Sequence, residues 1–339
     1  MTPDPAVSII MPCFNGERFI GRAIDSVLAQ TVRDWELLVV DDGSDDRSRD
    51  IVCGYGNRDR RVVLMEHDGG ARRGVSRSRN LAVARARGRL LAFLDADDEW
   101  LPEKLAVQID ALRRCPEAAL VYCRAQCVDR EGRAVVEPGP FHVWGVIGTG
   151  TPGIVAGAYE KFLGLRIGVP TTTVMARREP IVETGGFPED ISVGEDSVVW
   201  ARIMRSHPIF FVPEVLSLYR LHAGSCLGGM DPVARVDSAW RYYTHIAQSR
   251  EDRDAVLVRM LLSFMARFMK CVELPVRERW QRARAAGHEL LAEAYCGRAR
   301  VTWRLCLAAL GYGGRSAWWY GGRIMCSVQK KVRCSSTVE

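Results

Sequence analysis

The fold is decided by Leu90-Leu91-Ala92-Phe93-Leu94 and the residues it runs straight into, Asp95-Ala96-Asp97-Asp98. Five consecutive apolar residues read as a strand buried on both faces, as in parallel sheets. A turn needs one carboxylate, not three, so the acids that follow ask for another explanation. The pattern recurs upstream. Trp35 to Val40 is an apolar strand that stops at Asp41-Asp42-Gly43-Ser44-Asp45-Asp46, Val7 to Met11 is a strand ending at Pro12, and Val62 to Met65 is a shorter one. Helices separate them. Ile20, Ala23, Ile24, Val27 and Leu28 share one helical face. Val75 to Arg87 is helical with Gly88 as its C-cap, and Pro102 opens a helix with Leu105, Ile109 and Leu112 facing inward. This alternation with short connections predicts an α/β fold, a mostly parallel sheet flanked by helices.

Downstream the pattern loosens. A hairpin (Leu120 to Val128, turning at Glu131-Gly132) leads to a Gly/Pro-rich loop between Pro138 and Gly157. A strand is predicted at Thr171 to Met175, a turn at Gly185-Gly186-Phe187-Pro188, a helix from Glu195 to Arg205, and strands near Ile209 and Leu216. From Asp231 onward the pattern is of amphipathic helices, with Leu257, Leu261, Phe264, Met265 and Phe268 in one stripe. Arg298, Arg300, Arg304, Arg315 and Arg323 are interleaved there with Trp303, Trp318, Trp319 and Tyr320.

Of the 47 basic and 41 acidic residues, 19 and 10 respectively fall from Asp231 onward, so the first 230 residues are net negative and do not read as a nucleic-acid binder. With 47% hydrophobic residues, a core is within reach and wholesale disorder is excluded. No uncharged apolar run reaches the ~18 residues of a membrane span. Residues 1–6 lack the features of a signal peptide, and the expected location is the cytoplasm. Eleven cysteines, mostly inside apolar runs such as those of Cys13, Cys123 and Cys306, read as reduced, packed thiols. Cys123 and Cys127 could start a zinc site, but no second pair follows.

Ligands of open parallel sheets bind beyond the carboxyl ends of the strands. Two strands here end in carboxylate clusters, and crowded carboxylates repel unless a cation sits among them. A hard divalent ion, Mg²⁺ or Mn²⁺, is the natural candidate and would favour the oxygens of a diphosphate. Turn and helix capping is the other reading, and for Asp41 to Ser44 both stand. Neither G-x-G-x-x-G after the first strand nor G-x-x-x-x-G-K-[ST] is present, so dinucleotide dehydrogenases and P-loop enzymes fit poorly. Gly194-Glu195-Asp196 opens a helix, where acids suit the macrodipole or hold a general base rigidly.

In order and spacing, Val7 to Asn15, Asp41-Asp42-Gly43-Ser44, Ser78-Arg79-Asn80, Phe93 to Asp98, Gly185-Gly186-Phe187, Glu195-Asp196 and Tyr219-Arg220-Leu221-His222 resemble family 2 glycosyltransferases of the GT-A fold. The resemblance covers roughly residues 6 to 228 and implies sugar transfer, with inversion, from a nucleotide-diphosphate sugar to an acceptor hydroxyl. By motif position, Pro12 and Asn15 line the base pocket, Asp42 contacts the uracil or ribose, and Arg79 and Asn80 lie on the nucleotide side. Asp95 and Asp97 match the D-x-D element, with Asp97 or Asp98 holding the metal. Asp196 matches the catalytic base, and His222 a residue that reaches the metal or diphosphate. A Q-x-x-R-W element is missing, which argues for one sugar per encounter rather than a processive synthase.

Two domains follow: a catalytic one over 1–228 and a basic helical region over 229–339. The latter suits an anionic membrane surface and a lipid-linked glycan acceptor, or packing on the catalytic domain or in a homodimer. Bacterial surface polysaccharide or lipid-linked glycan synthesis is the family-level expectation, with a UDP-sugar the foremost donor. The alternatives are a non-catalytic sugar-nucleotide or glycan-binding protein, a nucleotidyltransferase, and an aspartate phosphatase. The first is opposed by the full set of acids, the second by the lack of a Gly-rich first loop, and the third by Asp98 and Glu99 after the D-x-D.

Overall fold

The strand pattern is realised as a curled, mixed sheet. In this computed structural model the described residues are 4–135, 151–163, 167–191, 193–222, 224 and 245–246. β1 (Val7–Cys13) and β2 (Trp35–Asp41) are buried at every residue, which is what continuous apolar runs require. β3 (Val62–Glu66) and β4 (Leu90–Phe93) complete a parallel set in the order β3-β2-β1-β4. Beyond β4 come β8 (Val174–Arg177), β6 (Leu120–Val128), β9 (Ile209–Arg220) and β5 (Glu99–Trp100), while β7 (Gly153–Ile154) also pairs with β9. β8, β5 and β7 run against their neighbours and the rest share one direction.

Helices cover the sheet. α1 (Ile20–Leu28) buries Ile20, Ala23, Ile24 and Val27, the predicted face. α2 (Ser48–Gly56), α3 (Val75–Arg85) and α4 (Lys104–Arg114) follow β2, the segment after β3, and β5. α5 (Ala158–Leu163), α6 (Arg178–Glu183) and α7 (Glu195–Ser206) belong to the second half. Phe93 of β4, Phe187 and Trp200 of α7 pack edge to face with centroids 5.3 to 6.1 Å apart, fastening α7 to the sheet.

Several local expectations are corrected. Pro12 does not end β1, because β4 stops opposite Ile10 and Pro12 pairs only with Val40. α2 carried no strong apolar period and escaped the sequence reading. α3 stops at Arg85, with Ala86 already extended, so Gly88 is no helix cap. A Cβ on Gly88 would stand 2.6 Å from the Ser8 nitrogen, so it serves a close approach to β1. Past Glu131-Gly132 the described chain returns through a bridge at Ala134, and β6 pairs with β8 and, in parallel, with β9. Residues 171–173 form a 3-10 turn ahead of β8. The two strands near Ile209 and Leu216 are one, because the register with β6 jumps from Val212 to Val215 and absorbs Pro213 and Glu214 in a bulge.

By Cα packing the chain divides into two units, 1–162 with 166–231 and 163–165 with 232–339. Nearly all described residues belong to the first, and the amphipathic region expected over 229–339 lies almost wholly outside them, as does most of the loop from Pro138 to Gly157. Among the described residues no helix is long and apolar enough to cross a membrane. Among the described residues, Cys13, Cys53, Cys115 and Cys123 are in no disulfide.

Candidate active site

The chain turns outward from β1 through β2 to β3 and then crosses to β4 on the other side of β1. That reversal opens a crevice at the carboxyl ends of β1, β2 and β4, where the acidic loops lie. The loops after β1 and β2 are laced together. Asn15 adopts a left-handed conformation (φ 51°), its N–H donates to Ser44 Oγ at 2.9 Å, and its Oδ1 accepts from the Asp45 N–H at 3.0 Å. The Gly16 and Glu17 N–H groups donate to Ser48 Oγ and Asp46 Oδ2.

Asp42 is buried and accepts the N–H groups of Arg73 at 2.6 Å and Gly74 at 2.9 Å, which draws the segment before α3 across the end of β2. Gly43 permits this: its φ is +75°, and a Cβ there would lie 2.8 Å from the Gly70 carbonyl. Phe14, 39% exposed beside Asn15, carries the Arg72 guanidinium 3.8 Å from its ring centroid. Pro12 lies buried beneath.

On the β4 side, three acids have three different settings. Asp95 Oδ1 accepts from Arg79 Nη2 at 2.7 Å, and Arg79 Nη1 donates to Glu195 at the start of α7. Burial opposes the Arg79 charge, but Asp95 and Glu195 outweigh it and hold the guanidinium above its ordinary pKa. Asp97, with its side chain 31% exposed, has Oδ2 2.8 Å from His222 Nε2. Asp98 is 2% exposed and accepts the Arg220 N–H at 2.8 Å, with Thr172 beside it. Burial first, then Asp97 and Asp95, push its carboxyl well above the usual carboxylate range.

Asp196 sits in the first turn of α7, after Gly194 (φ +88°). Its Oδ2 accepts from the Thr171 hydroxyl and its Oδ1 from the Ser197 N–H at 2.6 Å. Asn80 faces elsewhere: it exchanges hydrogen bonds with the N–H (2.8 Å) and carbonyl (2.9 Å) of Phe187, clamping the turn before α7. Gly186 (φ +80°) makes room, since a Cβ there would meet Asn80 Oδ1 at 2.7 Å.

The structure thus brings Pro12, Asn15 and Asp42 to one side of the crevice and Asp95, Asp97, His222 and Asp196 to the other. Arg79, Asn80 and Asp98 stand behind as buried or partly buried struts. Arg220, quoted in a motif but given no role, emerges as a buried hub: its guanidinium donates to the carbonyls of Asp97, Asp129 and Arg130 and to Glu99. An arginine ending an apolar strand was the signal for it.

Among the described residues no three His, Cys, Asp or Glu side chains form a ready metal cage. Asp97 and His222 supply an oxygen and a nitrogen donor at one point in an acid-rich crevice. That set suits a divalent cation that draws its remaining ligands from diphosphate and water.

Comparison with known proteins gives the following likenesses. The fold is GT-A-like: the chain superposes with a TM-score of 0.67 on Staphylococcus aureus TarS 1-349 in complex with UDP-GlcNAc, at 17% identity, covering 97% of this chain and 92% of that one. It superposes with a TM-score of 0.52 on the mannosyltransferase PcManGT from Pyrobaculum calidifontis in complex with GDP-Man and Mn2+, at 18% identity, covering 99% and 84%. Residues 8–153 match the family described as Glycosyl transferase family 2. The Escherichia coli UDP-Glc:alpha-D-GlcNAc-diphosphoundecaprenol beta-1,3-glucosyltransferase WfgD is 44% identical over 109 residues, 32% of this chain and 42% of WfgD. The chain spans less than two thirds of the length of the foremost curated relatives it matches.

Proposed function

We propose that the protein transfers a single sugar, with inversion, from a nucleotide-diphosphate sugar to an acceptor hydroxyl in surface glycan synthesis. A UDP-sugar is the foremost donor, as in WfgD's name and the TarS complex. The reading is carried by one observation: the rigid start of α7, which carries Asp196, is tied through Glu195 and Arg79 to Asp95, on the loop after β4 whose Asp97 meets His222 from the end of β9.

Each residue then has a task. Pro12, Asn15 and Asp42 shape the base pocket, and Phe14 offers the base an aromatic face. Asp97 and His222 hold Mg²⁺ or Mn²⁺, with Asp95 beside them; of Asp97 and Asp98, the former has the accessible carboxylate. The bound ion would stabilise the leaving diphosphate as a Lewis acid. Asp196 takes the proton from the acceptor hydroxyl as that oxygen attacks the anomeric carbon, the single displacement that inverts it. Residues 1–228 form the catalytic part in this reading. Residues 229–339 bring it to the cytoplasmic face of a membrane carrying a lipid-linked acceptor, or pair two copies.

Calorimetry with UDP-, GDP- and dTDP-sugars, each with and without Mn²⁺, tests this alongside release of the nucleotide. Metal-dependent binding of one nucleotide class with slow donor hydrolysis is the expected result. Binding with no turnover, even with candidate acceptors, would point to a sugar-nucleotide-binding protein. No binding by the folded protein would overturn the reading.

A further inference from the structure

The 3-10 turn Thr171–Thr173 touches both the start of α7 and the acidic loop after β4. Its first residue donates through Oγ1 to Asp196, and its second lies beside Asp98. Short polar turns are ordinarily mobile, yet all three threonines here are buried and the carbonyls are taken up from behind. Thr172 O accepts from Trp100 Nε1 at 2.8 Å and from Ser217 Oγ at 3.0 Å. Thr173 O accepts from Gln108 Nε2 at 2.7 Å and faces the Cys123 thiol at 3.7 Å. Gln108 is itself fixed, since its Oε1 accepts from Lys104 Nζ at 2.6 Å and both side chains are wholly buried. Lys104 Nζ also lies 4.1 Å from the centroid of the Trp100 ring. A lysine this deep, held by an amide and an indole, is expensive to bury. The turn is the structure it serves.

We propose that Thr171 is the positioning residue for Asp196: its hydroxyl holds Oδ2 while the Ser197 N–H holds Oδ1, which turns the remaining lone pairs of the carboxylate toward the acceptor, and the Lys104–Gln108 pair locks the turn that carries Thr171. This rests on Asp196 being the base. The Ser197 N–H is local and moves with the helix, whereas a hydroxyl from a separate, rigid element fixes the carboxylate against the rest of the site. The orientation matters to proton abstraction and not to donor capture, so loss of Thr171 lowers turnover and spares binding.

The test measures Mn²⁺-dependent UDP release from a UDP-sugar, together with calorimetric binding of UDP and Mn²⁺, for the native protein, Thr171→Val, Thr171→Ser, Asp196→Asn and the Thr171→Val/Asp196→Asn pair. The expected result is UDP binding within about twofold of native for Thr171→Val, turnover down roughly 10-fold or more, and Thr171→Ser within about threefold of native. In the Asp196→Asn background Thr171→Val should cost nothing further, because there is no base left to orient. Native-like turnover in Thr171→Val, or an equal loss in both backgrounds, would overturn the proposal. Native-like turnover in Asp196→Asn would instead sink the base assignment beneath it. Absence of UDP release by the native protein with every UDP-sugar tried would overturn both.

Discussion

Arg79 reaches Glu195 across 116 residues of sequence, Nη1 donating to Oε1 at 2.5 Å, while its other terminal nitrogen holds Asp95. The start of α7 is thereby fastened to the end of β4. Replacing Arg79 with Leu leaves Glu195 buried and Asp95 partly buried without their shared cation. A loss on the order of 3–5 kcal/mol in urea unfolding is expected. Arg79→Lys keeps the charge but cannot bridge both acids, and should fall between native and Leu. Equal stability of all three proteins would show that the bridge contributes nothing.

Asp97 and Asp98 should separate cleanly. Asp97 is accessible and paired with His222, so Asp97→Ala should abolish the Mn²⁺ dependence of donor binding with little change in melting temperature. Asp98 is buried against the Arg220 N–H, so Asp98→Ala should lower stability by about 1–3 kcal/mol. Calorimetry and thermal melts on the two variants check this, and reversed phenotypes would exchange the assignments.

Asp196→Asn should leave donor affinity near native and reduce turnover by at least ~10². The measurement is single-turnover UDP release beside UDP binding, and a matched loss of both would mean that Asp196 acts on donor capture rather than on the proton.

Burial lowers the pKa of Lys104 from 10.5 to about 8. Between those values the unfolded chain keeps a proton that the native chain has released, so stability rises as pH increases from about 8 to about 10.5. Below pH 8 the ammonium is charged in both states, and its burial costs on the order of 3 kcal/mol. The stability of native protein relative to Lys104→Met should therefore improve by a large part of that amount between about pH 7.5 and 10. A constant difference across that range would mean that Lys104 does not titrate there.

The parallel strands, α1 and the acid clusters were legible because each depends on neighbours in sequence. An apolar run longer than a turn must be buried, and its carboxyl end must point to one edge of the sheet. The family resemblance, carried by motifs in order, pointed to the GT-A-like fold and placed Asp97, His222 and Asp196 on the crevice. What a residue does when it arrives there was not legible. Asp97 and Asp98 are adjacent and chemically identical, and only the position of the Arg220 N–H buries one and leaves the other accessible. Motif position puts Arg79 on the nucleotide side of the cleft, and only the arrival of α7 gives it Glu195 as a buried partner. Thr171 to Thr173 read as strand from their β-branched side chains, but side chains from α4, β5, β6 and β9 claim their carbonyls and hold a turn. Local chemistry and spacing determined which groups reach the crevice; burial and long-range hydrogen bonds, which depend on the packed whole, decided which of them are free to react and which hold the others in place.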